Sequence, residues 1–254
     1  MKICKNCGQT VEKKYCPDCG QKVSVKRIEL KHLLHDIPHA IFHVDSGFFY
    51  NLKQLFIRPG AAIKGYLEGR RKLFFHPITY LAILMVFNYF AVKITNLHYY
   101  DDEELQTLSP KEVAFIKEYD ETQWWFLEHT YLYMLIAIPS CAIFYYFFFR
   151  LFKYKFNIAE SAIIVMFVIA QGVFMQSSIY LLIGWIHNGP FIRTMEIVNG
   201  FFLLSYASYA MYSLISPKKN KFLIGVVCVL GGAFVLSLMI ASGYWLLTLS
   251  KLSF

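Results

Sequence analysis

Five stretches of this chain are long and apolar enough to cross a lipid bilayer, at 77–96, 130–149, 159–186, 191–215 and 222–249. A helical crossing needs about 20 consecutive apolar residues, and backbone polar groups in lipid are satisfied only within helices or closed barrels. That pattern predicts an all-α polytopic membrane protein of about five transmembrane helices. Composition agrees. Hydrophobic residues make up 57% of the chain and charged residues only 17%, whereas a soluble domain carries about 25% charge to cover its water-facing surface.

Charge is unevenly placed. Residues 1–77 hold fourteen Lys/Arg against six Asp/Glu, whereas 78–254 hold eleven of each. The 97–129 connection is acidic, with nine Asp/Glu against Lys111 and Lys117, whereas Arg150, Lys153 and Lys155 follow the second span and Lys218, Lys219 and Lys221 the fourth. Basic connections thus alternate with acidic or neutral ones. The positive-inside rule then predicts a cytoplasmic N-terminus and a C-terminus outside. Within the outer 97–129 loop, Ser109-Pro110-Lys111-Glu112 predicts a capping box with proline at the first helical position.

Four of the six cysteines form two C-x-x-C-G knuckles, Cys4/Cys7 with Gly8 and Cys16/Cys19 with Gly20. Two such turns complete a tetrahedron of thiolates with no open position, the donor set of a structural Zn2+ site. Gly8 and Gly20 are expected to supply the positive φ on leaving each knuckle, with 9–11 and 14–15 as the arms of a hairpin. A rubredoxin-like iron site and a thiol–disulfide pair are the rival readings. Paired cysteines with no signal peptide read before them suggest a reducing cytosol. Cys141 and Cys228 lie in apolar runs and read as small hydrophobes. The expected organisation is a zinc ribbon over 1–25, a basic amphipathic membrane-surface segment over 26–76, and a helical bundle over 77–254 with its outer acidic loop at 97–129.

Within the middle segment, Leu33, Leu34, Ile37, Ala40, Ile41 and Val44 recur at helical spacing, and His32, His35, His39 and His43 form an opposing stripe. The stripe reads as a second metal or proton site, or as the polar face of a helix lying at headgroup level, and the absence of an evident carboxylate shell favours the latter. Phe48, Leu52, Leu55 and Phe56 suggest a second amphipathic face ended by Pro59-Gly60, followed by a short segment over 61–68 closed by Gly69. Arg58, Arg70, Arg71 and Lys72 form a basic motif suited to the anionic inner leaflet. Nucleic acid is disfavoured as a partner, because apolar faces interleave with those charges. Polar groups are sparse in the spans. Asn88, Gln171, Gln176, Arg193 and Glu196 are the candidates for an intramembrane polar site.

These motifs carry a resemblance. The two C-x-x-C-G-Q knuckles (Cys4 to Gln9, Cys16 to Gln21), Val44-Asp45-x-Gly47-Phe48, Arg58-Pro59-Gly60, Tyr66-x-x-Gly69-Arg70-Arg71 and Pro77 resemble a family of bacterial polytopic inner-membrane proteins of unknown function. The resemblance covers the first third of the chain closely. It implies a multi-pass protein of the bacterial inner membrane with a cytoplasmic ribbon, and it implies no activity. No nucleophile motif, phosphate loop or metalloprotease signature points to an enzyme. The favoured reading is a non-enzymatic adaptor or assembly factor whose ribbon docks a cytoplasmic protein. The alternatives are a small-solute or lipid transporter or channel, and then a metal-dependent membrane enzyme built on the histidine stripe.

Overall fold

The computed structural model describes residues 1–29, 47–95, 105–186, 188–215 and 221–234, together with Ser237. The chain is mostly helical. Strands β1 (Lys2–Ile3) and β2 (Thr10–Val11) pair antiparallel, with Lys2 opposite Val11 and Ile3 opposite Thr10. The helices are α1 (Gly47–Ile57), α2 (Pro59–Leu67), α3 (Pro77–Thr95), α4 (Pro110–Glu128), α5 (Thr130–Leu151), α6 (Ile158–Ile183), α7 (Gly189–Ile215) and α8 (Lys221–Phe234). The histidine stripe at His32, His35, His39 and His43 lies outside the described residues.

Three helices are long and apolar enough to cross a membrane: α3, α6 and the Met134–Leu151 part of α5. Helix α7 has the length but carries Arg193 and Glu196, and α8 is a shorter apolar helix. Among the described residues, three of the five expected spans thus meet that measure, and α7 and α8 lie on the fourth and fifth apolar stretches without meeting it.

Helix α6 is the axis of the body. Every residue from Ala159 to Gln171 is buried, as expected of a helix that is apolar all round. Helices α1, α2, α3, α5 and α7 all pack on it. Its start is set by a capping box, in which Asn157 Oδ1 accepts from Glu160 N (2.8 Å) and Glu160 Oε2 accepts from Asn157 N (2.9 Å). The expected Ser109/Glu112 box opens α4, with Pro110 in its first turn.

The two ends of the bundle gather different segments. At one end Val92, Tyr180 and Ile192 form a small cluster with Trp124 of α4 packed on it. At the other end lie residues 1–29, α1, α2, the α5–α6 turn and the C-terminal end of α7. There Tyr206 donates its hydroxyl to Leu55 O (3.1 Å), and Asn157 Nδ2 donates to Ile28 O (2.9 Å).

Helices α1 and α2 are not isolated segments. Both pack onto the bundle. Phe48, Leu52 and Leu55 face the core as expected, but Phe56 is exposed and Asn51 is fully buried in its place. The reason is a specific pairing. Asn51 Oδ1 accepts from Phe75 N (3.0 Å) and its Nδ2 donates to Phe75 O (3.3 Å), so the amide satisfies both backbone groups of a buried residue. Pro59 opens α2 at its first turn as well as closing α1. Gly60 then lets α2 touch α7, because a Cβ there would stand 2.3 Å from the Ser213 carbonyl carbon. The Gly60 amide, an orphan donor of the helix start, instead finds Ser213 Oγ at 3.0 Å.

Candidate metal centre

The two knuckles repeat one local fold. Cys4 N donates to Gln9 O and Gly8 N to Cys4 O (2.8 and 2.9 Å). Cys16 N donates to Gln21 O and Gly20 N to Cys16 O (both 2.9 Å). Gly8 (φ 81°) and Gly20 (φ 71°) take the positive φ that the sequence predicted. The strand pairing differs from expectation. Residues 9–11 do not pair with 14–15; β1 pairs with β2 across the first knuckle, and Tyr15 bridges Lys22 across the second. Each knuckle is itself a tight turn, so the segments it joins are the nearest available partners.

The four Sγ atoms of Cys4, Cys7, Cys16 and Cys19 all lie within 4.8 Å of one another, with Cys4–Cys19 at 3.6 Å and Cys7–Cys16 at 3.4 Å. These spacings are far beyond the ~2.05 Å of a disulfide. They match the edge of about 3.8 Å in a tetrahedron with metal–sulfur bonds of ~2.3 Å. Cys4 and Cys16 are buried with Val11 and Val23 in a core of four residues. So small an interior supplies little hydrophobic stabilisation, and a bound cation would supply the rest.

Crowding splits the thiols. At Cys7 the backbone bond with Gln9 lowers the pKa, but desolvation and the sulfurs of Cys16, Cys19 and Cys4 outweigh it and push it up to about 12. At Cys19 desolvation raises the pKa, but the bonds with the Gln21 backbone, Asn6, Cys4 and Cys7 pull it down to about 7. One thiolate forms at another's expense when like charges share so small a volume. A divalent cation removes that restriction, so the donor set fits a metal ion closed on all four sides.

The ribbon is fastened to the helical body through its second knuckle. Gln21, only 5% exposed, donates from Nε2 to Gly69 O (2.8 Å), and its Oε1 accepts from Arg71 N and Lys72 N (both 3.1 Å). The equivalent Gln9 of the first knuckle is exposed. The backbone that Gln21 reads is the C-terminal cap of α2. Gly69 sits at φ 109°, its amide donates to Tyr66 O (3.1 Å) and Arg70 N donates to Gly65 O (2.9 Å), which is a Schellman cap. A Cβ on Gly69 would stand 3.0 Å from Lys5 Cδ and 3.3 Å from Val25 Cγ1, so the ribbon closes over the glycine.

Two further contacts extend the clamp. Arg27 forms an ion pair with the buried Glu160 (2.6 Å), and its hydrogen bond with that carboxylate holds the guanidinium above its ordinary pKa. Arg71 Nη2 donates to Lys26 O (3.0 Å), and its guanidinium lies 5.8 Å from the Tyr66 ring centre. The basic motif therefore divides. Arg71 is half-buried against the ribbon linker and Arg70 crosses Gly65, while Arg58 and Lys72 are exposed.

Three of the candidate intramembrane polar residues, Asn88, Gln171 and Gln176, make hydrogen bonds between or along helices, although the buried Gln171 Nε2 finds no partner. Tyr80 donates to Gln171 Oε1 (2.7 Å) and Ser177 to Asn88 Oδ1 (3.0 Å), both joining α3 to α6. Gln176 donates to Tyr180 within α6 (2.6 Å). Arg193 and Glu196 are half-buried near the start of α7. The four cysteines cluster as their spacing predicts, whereas Gln21, Asn51 and Asn157 were not expected as fasteners. The C-x-x-C-G-Q spelling carried the first of these signals.

Fold and site together define a mostly helical chain with membrane-type helices and a four-cysteine cluster able to hold a metal ion. Residues 45–88 match the family described as "Protein of unknown function (DUF3667)". No curated protein and no solved structure matches the chain. The matched segment runs through α1 and α2, the loop that Gln21 grips, and the first part of α3.

Proposed function

We propose that this chain is a non-enzymatic adaptor or assembly factor of the bacterial cytoplasmic membrane, with Zn2+ held by Cys4, Cys7, Cys16 and Cys19. The ribbon presents its outer face to a cytoplasmic protein, and five spans anchor it. The observation that carries this reading is the Gln21 clamp. It joins a closed four-thiolate site, which leaves no ligand position for chemistry, to the helix pair beneath it. A domain held in fixed register on a membrane bundle suits docking.

The gathering of the helix ends supports the orientation. The segments assigned to the inside by positive charge, 1–29, 150–157 and the C-terminal end of α7, meet at the ribbon end. Trp124 of the acidic loop packs at the other. A C-terminal reporter active only outside the cytoplasm is the expected result, and one active only inside would refute the five-span arrangement.

For docking, in-cell crosslinking followed by purification of the full chain should recover a protein from the wild type. Cys4→Ser/Cys7→Ser should lose it while remaining in the membrane. An identical set of crosslinked proteins in both would reject the adaptor reading.

A further inference from the structure

At the ribbon end, an open cleft of ≈ 550 Å³ lies between residues 5–27 and the helical body. Six cations line it: Lys5, Lys26, Arg27, Lys64, Arg71 and Lys155. Among the described residues two carboxylates accompany them, Glu68 and Glu160, and Arg27 is already paired with Glu160. Among the described residues, the ammonium groups of Lys5, Lys26, Lys64 and Lys155 have no carboxylate partner. The four lysines come from three separate segments and are exposed, so their mutual repulsion is screened and their charges are open to a solution anion. The remainder of the wall is apolar, from Leu67, Phe156 and Leu214.

We propose that this cleft binds a phosphate-bearing anion. A phosphate offers several charged acceptor oxygens, so lysines lining one cleft from different segments can share it, where a single carboxylate would satisfy one or two. The apolar wall adds a place for a carbon stem. Cationic pockets of this kind at the inner end of a membrane bundle suit phospholipid headgroups, and a soluble phosphate satisfies the same lysines. Because the ribbon supplies Lys5, Lys26 and Arg27 and the body supplies Lys64, Arg71 and Lys155, the anion would bridge the two. It would tighten the clamp that Gln21 makes.

The inference deepens the lipid-facing part of the proposed function. It does not depend on the ribbon's protein partner, which is tested through cysteines and not through these lysines. Full-length protein in nonionic detergent would be titrated with dihexanoyl-phosphatidylglycerol, with dihexanoyl-phosphatidylcholine and with inorganic pyrophosphate. Native mass spectrometry would read the lipids and calorimetry the pyrophosphate. Saturable binding of phosphatidylglycerol in preference to phosphatidylcholine identifies a headgroup site. Binding of pyrophosphate with the same lysine dependence identifies a soluble-phosphate site.

In either case Lys64→Gln/Lys155→Gln is expected to weaken binding on the order of 30-fold, and each single variant about fivefold, from the loss of charges near the anion. Lys111→Gln/Lys117→Gln on α4 should bind as the wild type does. The singles keep the test open if the double variant loses its metal or its monodispersity. No saturable binding of either anion, or unchanged binding in K64Q and K155Q, would overturn the proposal.

Discussion

Replacing Gln21 with alanine tests the clamp with the least disturbance to either side of it. The side chain makes three hydrogen bonds, one to Gly69 O and two from the amides of Arg71 and Lys72, and it is buried. Each bond contributes about 1 kcal/mol net, and more where its partner stays buried without water. Gln21→Ala should therefore weaken closure by about 3 kcal/mol, on the order of a 150-fold rise in the open population. Hydrogen exchange on the zinc-loaded full chain, followed by mass spectrometry, reads this locally. Peptides covering 69–72 should exchange far faster in the variant, while those within α6 stay unchanged. Gln21→Glu keeps the acceptor for Arg71 and Lys72 but sets a second acceptor against Gly69 O and buries a charge, so it too should speed exchange at 69–72. Unaltered exchange at 69–72 in Gln21→Ala would mean that the ribbon is held by something other than this side chain.

Gly60→Ala forces a Cβ to within 2.3 Å of the Ser213 carbonyl carbon, so α2 and α7 must separate. Overpacking of this kind costs roughly 1–3 kcal/mol, and a thermal melt in detergent should fall by several degrees, with no fall counting against the contact. The Glu112 carboxylate is held below its ordinary 4.5 by the Ser109 hydroxyl and backbone amide. A lowered carboxylate pKa stabilises the cap fully above its ordinary value and loses that contribution as pH falls through the lowered one. Amide protection at the start of α4 should therefore hold at pH 6 and fade below about pH 4.5, and Glu112→Gln should abolish that dependence. Metal removal should act through protons as well. Thiolate ligands compete with protons, so the apparent zinc affinity of the full chain, measured against a competing chelator, should fall as the solution is acidified. An affinity that stays constant throughout acidification would contradict thiolate ligation.

Much of the architecture was legible because it rests on local rules. Apolar runs of about twenty residues located α3, α5, α6 and α7, two glycine-ended knuckles located the thiol cluster, and Ser109–Glu112 announced the cap of α4. The fastening was not legible. Asn51, Gln21 and Asn157 read as ordinary polar residues until residues 24, 48 and 129 positions away in sequence become their partners. Periodicity also placed Phe56 on the buried face of α1, because an apolar count does not see that an amide satisfying the Phe75 backbone outcompetes a phenyl ring for that position. The basic motif shows the same gap. Charge and position assigned Arg71 to lipid, whereas its neighbours Tyr66 and Lys26 draw it inward.

The account turns on a closed four-sulfur metal site at the head of a membrane bundle. Elemental analysis and X-ray absorption of the purified full chain test it most directly. One zinc per chain is expected, bound by four sulfurs at about 2.3 Å, and lost when Cys16 is replaced by serine. Substoichiometric metal, iron in place of zinc, or a light-atom ligand in the first shell would contradict it.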